Sequence, residues 1–174
     1  MSALFLVRHG RSDVRREHAA QDWGIDPDGY VDIAALADSG RLPATATWFS
    51  SPEPKAITTA RLLHPGTLRV VPGLAEQRRG THWFEQPDDL EDAVRRAFEN
   101  PEQSAAPGWE PISRTRNRLL PAVHRILDEA TGEVVLVGHG TAWSLVAADL
   151  TGQPPDLDAW GRLETPDVWR LDLP

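Results

Sequence analysis

The sequence predicts an α/β fold, a three-layer sandwich in which a mostly parallel central sheet is covered by helices on both faces. Two observations carry this reading. Residues 3–7 and 134–137 are continuous apolar runs of strand length without polar alternation, the pattern of strands buried on both faces. Segments with helical spacing of apolar residues fill the intervals between short strand-like runs, and such alternation implies parallel pairing through helical crossovers.

The first strand, residues 3–7, stops at Arg8-His9-Gly10. A weaker helical period covers residues 31–37, and residues 44–49 form the next short strand. A helix is expected over 53–63, a strand over 68–71, and helices over 88–98 and 111–130. The strand at 134–137 ends at Gly138-His139-Gly140, followed by a helix over 141–150 and a last, edge strand over 166–173. Gly132 and Gly152 stand where helix C-caps are expected. Residues 78–110, rich in charge, proline and tryptophan around one helix, read as a short insertion over the active site at one sheet edge. In such a sheet, ligands sit at the carboxyl ends of the strands, where both histidine–glycine motifs fall.

Length and composition bound the function. At 174 residues the chain fits one domain, with 40% hydrophobic and 25% charged residues as in ordinary globular proteins. A net charge of −8 opposes binding to nucleic acid and to anionic membranes, so an anion site has to be a local basic pocket. The absence of cysteine excludes thiol nucleophiles and cysteine-ligated metals and fits a reducing compartment, the cytoplasm being the simplest expectation. The opening apolar run has no basic lead-in, unlike a signal peptide, and no run approaches the roughly 20 apolar residues of a membrane span.

The chemistry converges on phosphate. If the strands ending at Arg8-His9-Gly10 and Gly138-His139-Gly140 are neighbours, two imidazoles and a guanidinium meet at one spot. Arg8 suits bidentate contact with phosphate oxygens, one neutral imidazole can attack phosphorus, and the other can donate hydrogen bonds. Nothing in this set calls for a metal or a cofactor. His18, His64 and His124 lack the partners that zinc binding needs.

Four segments in order resemble the histidine phosphatase superfamily, the phosphoglycerate mutase-like fold, and within it the small phosphatases. The first is Leu6-Val7-Arg8-His9-Gly10-Arg11-Ser12, which by resemblance assigns His9 as nucleophile and Arg8 as phosphate ligand. The second, Ser50-Ser51-Pro52-Glu53-Pro54-Lys55-Ala56, is similar to the family's Ser-Ser-Pro segment, but Lys55 stands where the family carries arginine. Lysine keeps the charge and loses the planar fork. Arg61, six residues on, points about 120° away on the same helix. The third, Leu74-Ala75-Glu76-Gln77-Arg78-Arg79-Gly80-Thr81-His82-Trp83, places Glu76 at the position of the acid that protonates the leaving group, a role that needs a raised pKa. The alternative for Glu76 is a salt bridge to Arg78 or Arg79. The fourth, Val137-Gly138-His139-Gly140, assigns His139 to phosphate binding and transition-state stabilisation, with Thr141 opening a helix whose amides face the phosphate.

Other candidates line the pocket in this reading: Arg11, Ser12, Arg15, His82, Trp83, Gly140 and Thr141. Arg15 stands where the family has asparagine, and Arg11, Arg15 and Arg16 either widen the anion site or form a solvated face. Trp143 is expected in the core. The resemblance implies a histidine acid phosphatase-type phosphoric monoester hydrolase acting on a small phosphorylated metabolite. A phosphohistidine phosphatase, a mutase-type transferase and a non-catalytic binder of phosphorylated ligands remain open alternatives, and the sequence says nothing of oligomeric state.

Overall fold

The computed structural model describes residues 3–173. In chain order the elements are β1 (Ala3–Arg8), α1 (Tyr30–Asp38), β2 (Thr47–Ser50), α2 (Pro54–Leu63), β3 (Leu68–Val70), α3 (Pro87–Glu99), α4 (Ile112–Glu129), β4 (Val134–Gly138), α5 (Gly140–Thr151), α6 (Leu157–Gly161) and β5 (Asp167–Asp172). The sheet order is β3-β2-β4-β1-β5. β1, β2, β3 and β4 run parallel, and only β5, at one edge, is antiparallel to its neighbour β1.

The continuous apolar runs are explained by two cores, one on each face of the sheet. Along β1, Leu4 and Leu6 pack into a cluster with Leu119 and Val123 of α4 and with Trp143 and Val146 of α5. Ala3, Phe5 and Val7 face the other way, toward Leu36 of α1 and Ala60 of α2. Alternate side chains of a strand point to opposite faces, so both parities have to be apolar when both faces are covered. β4 repeats the division, with Val134 and Leu136 on one side and Val135 and Val137 on the other.

Several sequence expectations are corrected. Residues 44–46 lie outside β2, which begins at Thr47. Gly132 does not cap α4: the C-cap is Ala130 in an extended conformation, and Gly132, at φ +122°, belongs to the turn leading into β4. Gly152 does cap α5, at φ +67°. The five-residue α6 is absent from the sequence reading because a helix this short holds too few residues to show a period. Arg8 and Gly138 extend their strands by one residue beyond the apolar runs, because the backbone ladder pairs Arg8 with Gly138 whatever their side chains.

Candidate active site

The carboxyl ends of three adjacent parallel strands deliver the site. The His9 amide donates to the carbonyl of Gly138 at 2.9 Å, and the Ser51 amide to that of Val137 at 2.9 Å, so the residues following β1, β2 and β4 are tied together. His9 and His139 thereby sit edge to face, with ring centroids 5.2 Å apart. The glycines of both motifs are required by close approach. A Cβ on Gly10 would fall 2.6 Å from Cδ1 of Ile33, and one on Gly138 would fall 2.6 Å from the indole of Trp143. That indole donates its Nε1–H to the Val7 carbonyl at 2.8 Å, which fixes Trp143 as the buried packing residue its sequence position suggested.

His9 is held in one tautomer. Its Nδ1 lies 2.7 Å from the Gly10 carbonyl oxygen, which can only accept, so Nδ1 carries the proton and Nε2 carries the lone pair. The Gly10 amide in turn donates to Thr59 Oγ1 at 3.0 Å, fastening the turn to α2. Burial, reinforced by the Lys55 ammonium and by Arg8 and opposed by the Gly10 contact, pulls the His9 pKa down from 6.5 to about 3. His139 is displaced in the same direction by burial and by the nearby His9, Lys55, Arg79 and Arg8. Its Nε2 contacts Ser51 Oγ at 2.7 Å. Both imidazoles are therefore neutral at pH 7.

Neutral burial of these rings makes stability depend on pH. A histidine buried neutral has a folded pKa below its unfolded value, so between the two values the unfolded chain binds more protons and stability rises with pH. The contribution is complete above about pH 6.5 and is lost as pH falls toward the folded value, which for His9 is about 3. The expected slope is up to about 1.4 kcal/mol per pH unit for each buried histidine. Denaturant unfolding of the wild type and His9→Asn at pH 7, 6, 5 and 4 checks this: the variant should show the shallower decline, and parallel declines would refute the assignment.

A cavity of about 180 Å³ opens over the two imidazoles, lined among others by Arg8, Lys55, Arg79, Glu53, Glu76 and Thr141. Three cations face two carboxylates around neutral histidines, which makes a locally basic pocket in an acidic chain. Arg8 Nη1 donates to the Leu163 carbonyl at 2.8 Å, which orients its guanidinium from the loop after α6. Burial lowers its pKa, though it stays charged.

Lys55 does reach the cavity, but it is committed to partners. Its Nζ lies 2.6 Å from Glu53 Oε2 and 2.5 Å from the Ala20 carbonyl, and both side chains of the ion pair are only 6% exposed. Burial raises the Glu53 pKa, against the opposing pull of Lys55. Glu53 also accepts the Glu76 amide at 2.9 Å and approaches His139 Nε2 at 3.5 Å.

Glu76 is not salt-bridged to Arg78 or Arg79. Its Oε1 accepts the amides of Gln77 at 2.9 Å and Ala142 at 3.0 Å, and its Oε2 accepts that of Thr141 at 3.1 Å. The carboxylate thus occupies the N-terminus of α5, a position suited to any anion. Its segment is pinned by Arg118, which donates to the Glu76 carbonyl at 2.5 Å and pairs with Glu110 at 2.8 Å.

Not every candidate is brought here. Ser12, Gly140 and Thr141 line the cavity. Arg11 and Arg15 do not: they are exposed and pair with Asp26 at 3.3 Å and Asp13 at 2.9 Å, as a solvated face. His82 and Trp83 line a neighbouring cavity instead. Arg61 is exposed on α2. His64 stacks on Trp48, centroids 4.8 Å apart, and His124 contacts Asp149 at 2.7 Å. Among the described residues, no cluster of three or more histidine or acidic side chains is arranged to hold a metal ion, and no helix is long and apolar enough to cross a membrane.

Two charged cavity residues escaped sequence reasoning. Arg79 is half-buried, desolvation lowers its pKa, and its Nη2 donates to Thr141 Oγ1 at 2.7 Å while its guanidinium lies 4.4 Å over the ring of Trp109. The side chains it contacts most closely, Trp109 and Thr141, lie 30 and 62 positions away, so little in the local sequence marks it. Glu53 carried a weak signal, an acid two positions before Lys55, but the pairing shows only once both are buried.

The family model of the histidine phosphatase superfamily (branch 1) matches residues 4–171. The chain belongs to that superfamily. Its fold is the mixed α/β, phosphoglycerate mutase-like fold of the solved structures it resembles. A mycobacterial glucosyl-3-phosphoglycerate phosphatase complexed with VO3 is 22% identical, with 99% of this chain and 93% of that chain covered at a TM-score of 0.76. The protein TTHB049 from Thermus thermophilus is 25% identical over 99% and 94%, at a TM-score of 0.68. A mutant phosphoserine phosphatase from Entamoeba histolytica, in complex with phosphoserine, is 18% identical over 98% and 90%, at a TM-score of 0.71. No curated protein matches the chain. In this histidine phosphatase superfamily member, Arg8, His9, Glu76 and His139 line one cavity.

Proposed function

We propose that this chain is a phosphomonoesterase, of the histidine acid phosphatase type, which hydrolyses a small phosphorylated metabolite through a phosphohistidine on His9. The observation that carries the reading is the state of His9: Nδ1–H donates to the Gly10 carbonyl, leaving a neutral Nε2 beside a basic cavity. The solved phosphatases that resemble the chain, one holding VO3 and one phosphoserine, support a phosphorylated small molecule as substrate.

In the first step the Nε2 lone pair of His9 attacks phosphorus, the bond from phosphorus to the ester oxygen breaks, and Glu76 transfers a proton to that departing oxygen. Arg8, Arg79, Lys55 and His139 hold the phosphoryl oxygens, Arg79 supplying the second guanidinium that the Lys55 position lacks. In the second step the Glu76 carboxylate takes a proton from water, the water oxygen attacks phosphorus, and the bonding pair of the N–P bond returns to Nε2. An incoming phosphate competes with Glu76 for the α5 amides of Thr141 and Ala142.

A panel of phosphorylated metabolites assayed for inorganic phosphate tests the reading, and absence of release from any ester between pH 5 and pH 9 would reject it in favour of a non-catalytic binder. Two substitutions separate the roles. Glu76→Gln is expected to lower kcat/KM for alkyl esters by on the order of 10²- to 10⁴-fold while sparing kcat/KM for 4-nitrophenyl phosphate, whose leaving group departs without a proton, because this ratio reports only the steps up to the phosphohistidine. Equal losses on both esters would remove Glu76 from the acid role. Arg79→Ala is expected to weaken competitive inhibition by inorganic phosphate by roughly tenfold or more, the worth of one charge-assisted contact, and unchanged inhibition would exclude it as a ligand.

A further inference from the structure

The cavity over His9 has a neighbour across a shared wall. A second cavity of about 270 Å³ shares four wall residues with it, Ala20, Trp23, Arg79 and Leu90. The two differ in chemistry: the first is walled by ionic and imidazole groups, the second largely by rings. The indoles of Trp23 and Trp83, from separate loops, both line it and stand 6.4 Å apart at a 55° tilt. Phe84 meets His82 edge to face at 4.7 Å and Trp109 at 5.9 Å. Two of its rings are backed by guanidinium groups: Arg79 lies over Trp109, and Arg16 lies 4.4 Å over Trp83 while paired to Glu85 at 3.0 Å.

Three features argue for an occupant. Trp83 is 36% exposed and Trp23 is only half-buried, so both leave apolar surface at the mouth of a polar site rather than packing it away. The volume exceeds the roughly 150 Å³ of apolar cavity that suffices for benzene. Arg79 spans the junction, with one nitrogen bonded to Thr141 in the phosphate compartment and its plane against Trp109 in the aromatic one.

We infer that the second cavity is the leaving-group compartment, and that the preferred substrates are small phosphomonoesters whose alcohol carries an uncharged planar ring. The inference rests on the phosphomonoesterase reading for its chemistry but not for its test. A ring entering beside Trp23 and Trp83 gains aromatic contact and burial, and a polyhydroxy alcohol would give up hydrogen bonds to water against a lining whose accessible surface is mostly apolar.

Binding of non-hydrolysable phosphonates tests it without turnover. Benzylphosphonate and 2-phenylethylphosphonate are titrated calorimetrically against ethylphosphonate on the wild type, Trp83→Ala and Trp23→Ala. Trp83, at the surface, leaves the fold intact when truncated, and thermal unfolding of each variant verifies this. The better aryl ligand should bind on the order of 10- to 100-fold more tightly than ethylphosphonate, and both tryptophan variants should lose most of that ratio. Aryl and alkyl affinities within about twofold overturn the inference, as does an aryl preference that survives both substitutions or a failure of both aryl compounds to bind. Phosphate release is measured separately: turnover without ring preference defeats only this inference, and ring preference without turnover defeats only the catalytic reading.

Discussion

Replacing His9 with alanine is expected to abolish formation of an acid-labile phosphoprotein and to lower phosphate release by on the order of 10⁴-fold or more, the range seen when a covalent nucleophile is removed. The expectation follows from how singular His9 is. Its Nε2 carries the lone pair because Nδ1 is bonded to Gly10, whereas the Nε2 of His139 is engaged with Ser51 and approached by Glu53. Attack through the Nε2 of His139 would require breaking those contacts. Rapid quench of the wild type with 4-nitrophenyl phosphate should trap a phosphoryl group that survives alkali and is lost in acid, as an N–P bond is, and His9→Ala should trap none. The variant should still bind inorganic phosphate, because Arg8, Lys55 and Arg79 remain in the cavity wall. Undiminished turnover in His9→Ala would end the phosphohistidine mechanism.

The second large effect is on stability. Lys55→Met is expected to destabilise the fold by about 3–5 kcal/mol, because it strands the Glu53 carboxylate in a site with 6% exposure. For a chain of this size that corresponds to a fall in Tm of roughly 10 °C. Loss of the cation also removes the direct ion-pair partner of Glu53 beside Glu76, leaving Arg8 and Arg79 as the cations of the cavity. Adding Glu53→Gln to Lys55→Met should restore most of the loss, since the amide oxygen still accepts the Glu76 N–H and no charge is buried. Calorimetric unfolding of the two single variants and the double variant gives the coupling directly. Additive losses would show that the pair is not an energetic unit, and an unchanged Tm in Lys55→Met would show that Lys55 stabilises nothing. The lysine at the family's arginine position is thus read first as the counter-ion of Glu53 and only second as a phosphate ligand, with Arg79 taking the larger share of that task.

Much of this was legible in the sequence for a simple reason. A strand buried on both faces has to be apolar at every position, and it has to end where polarity resumes, so residues 3–7 and 134–137 announce both the sheet and the place where His9 and His139 emerge. The helices over α2, α4 and α5 were equally visible, because a helix covering one face of a sheet repeats its apolar residues at a fixed spacing. Arg11 and Arg15 show the opposite case. Proximity in sequence to His9 suggested an anion site, but the chain turns away after Gly10 and each arginine finds a nearer aspartate.

Tertiary structure alone decided the rest. Glu76 meets Thr141 and Ala142 across some 65 positions, and Arg79 meets Thr141 across 62. The indoles of Trp23 and Trp83 face each other from loops 60 residues apart. Local propensity and period carry no information about such meetings, which depend on how loops settle over strand ends once the sheet order is set. The sequence by itself therefore determined the α/β layering and the two histidines at the ends of buried strands, while the pairing of those strands came from the fold. The three-dimensional fold determined which cations share their cavity, how Lys55 is neutralised, and that an aromatic chamber adjoins the phosphate site, because burial and charge pairing are properties of assembled surroundings rather than of residue order.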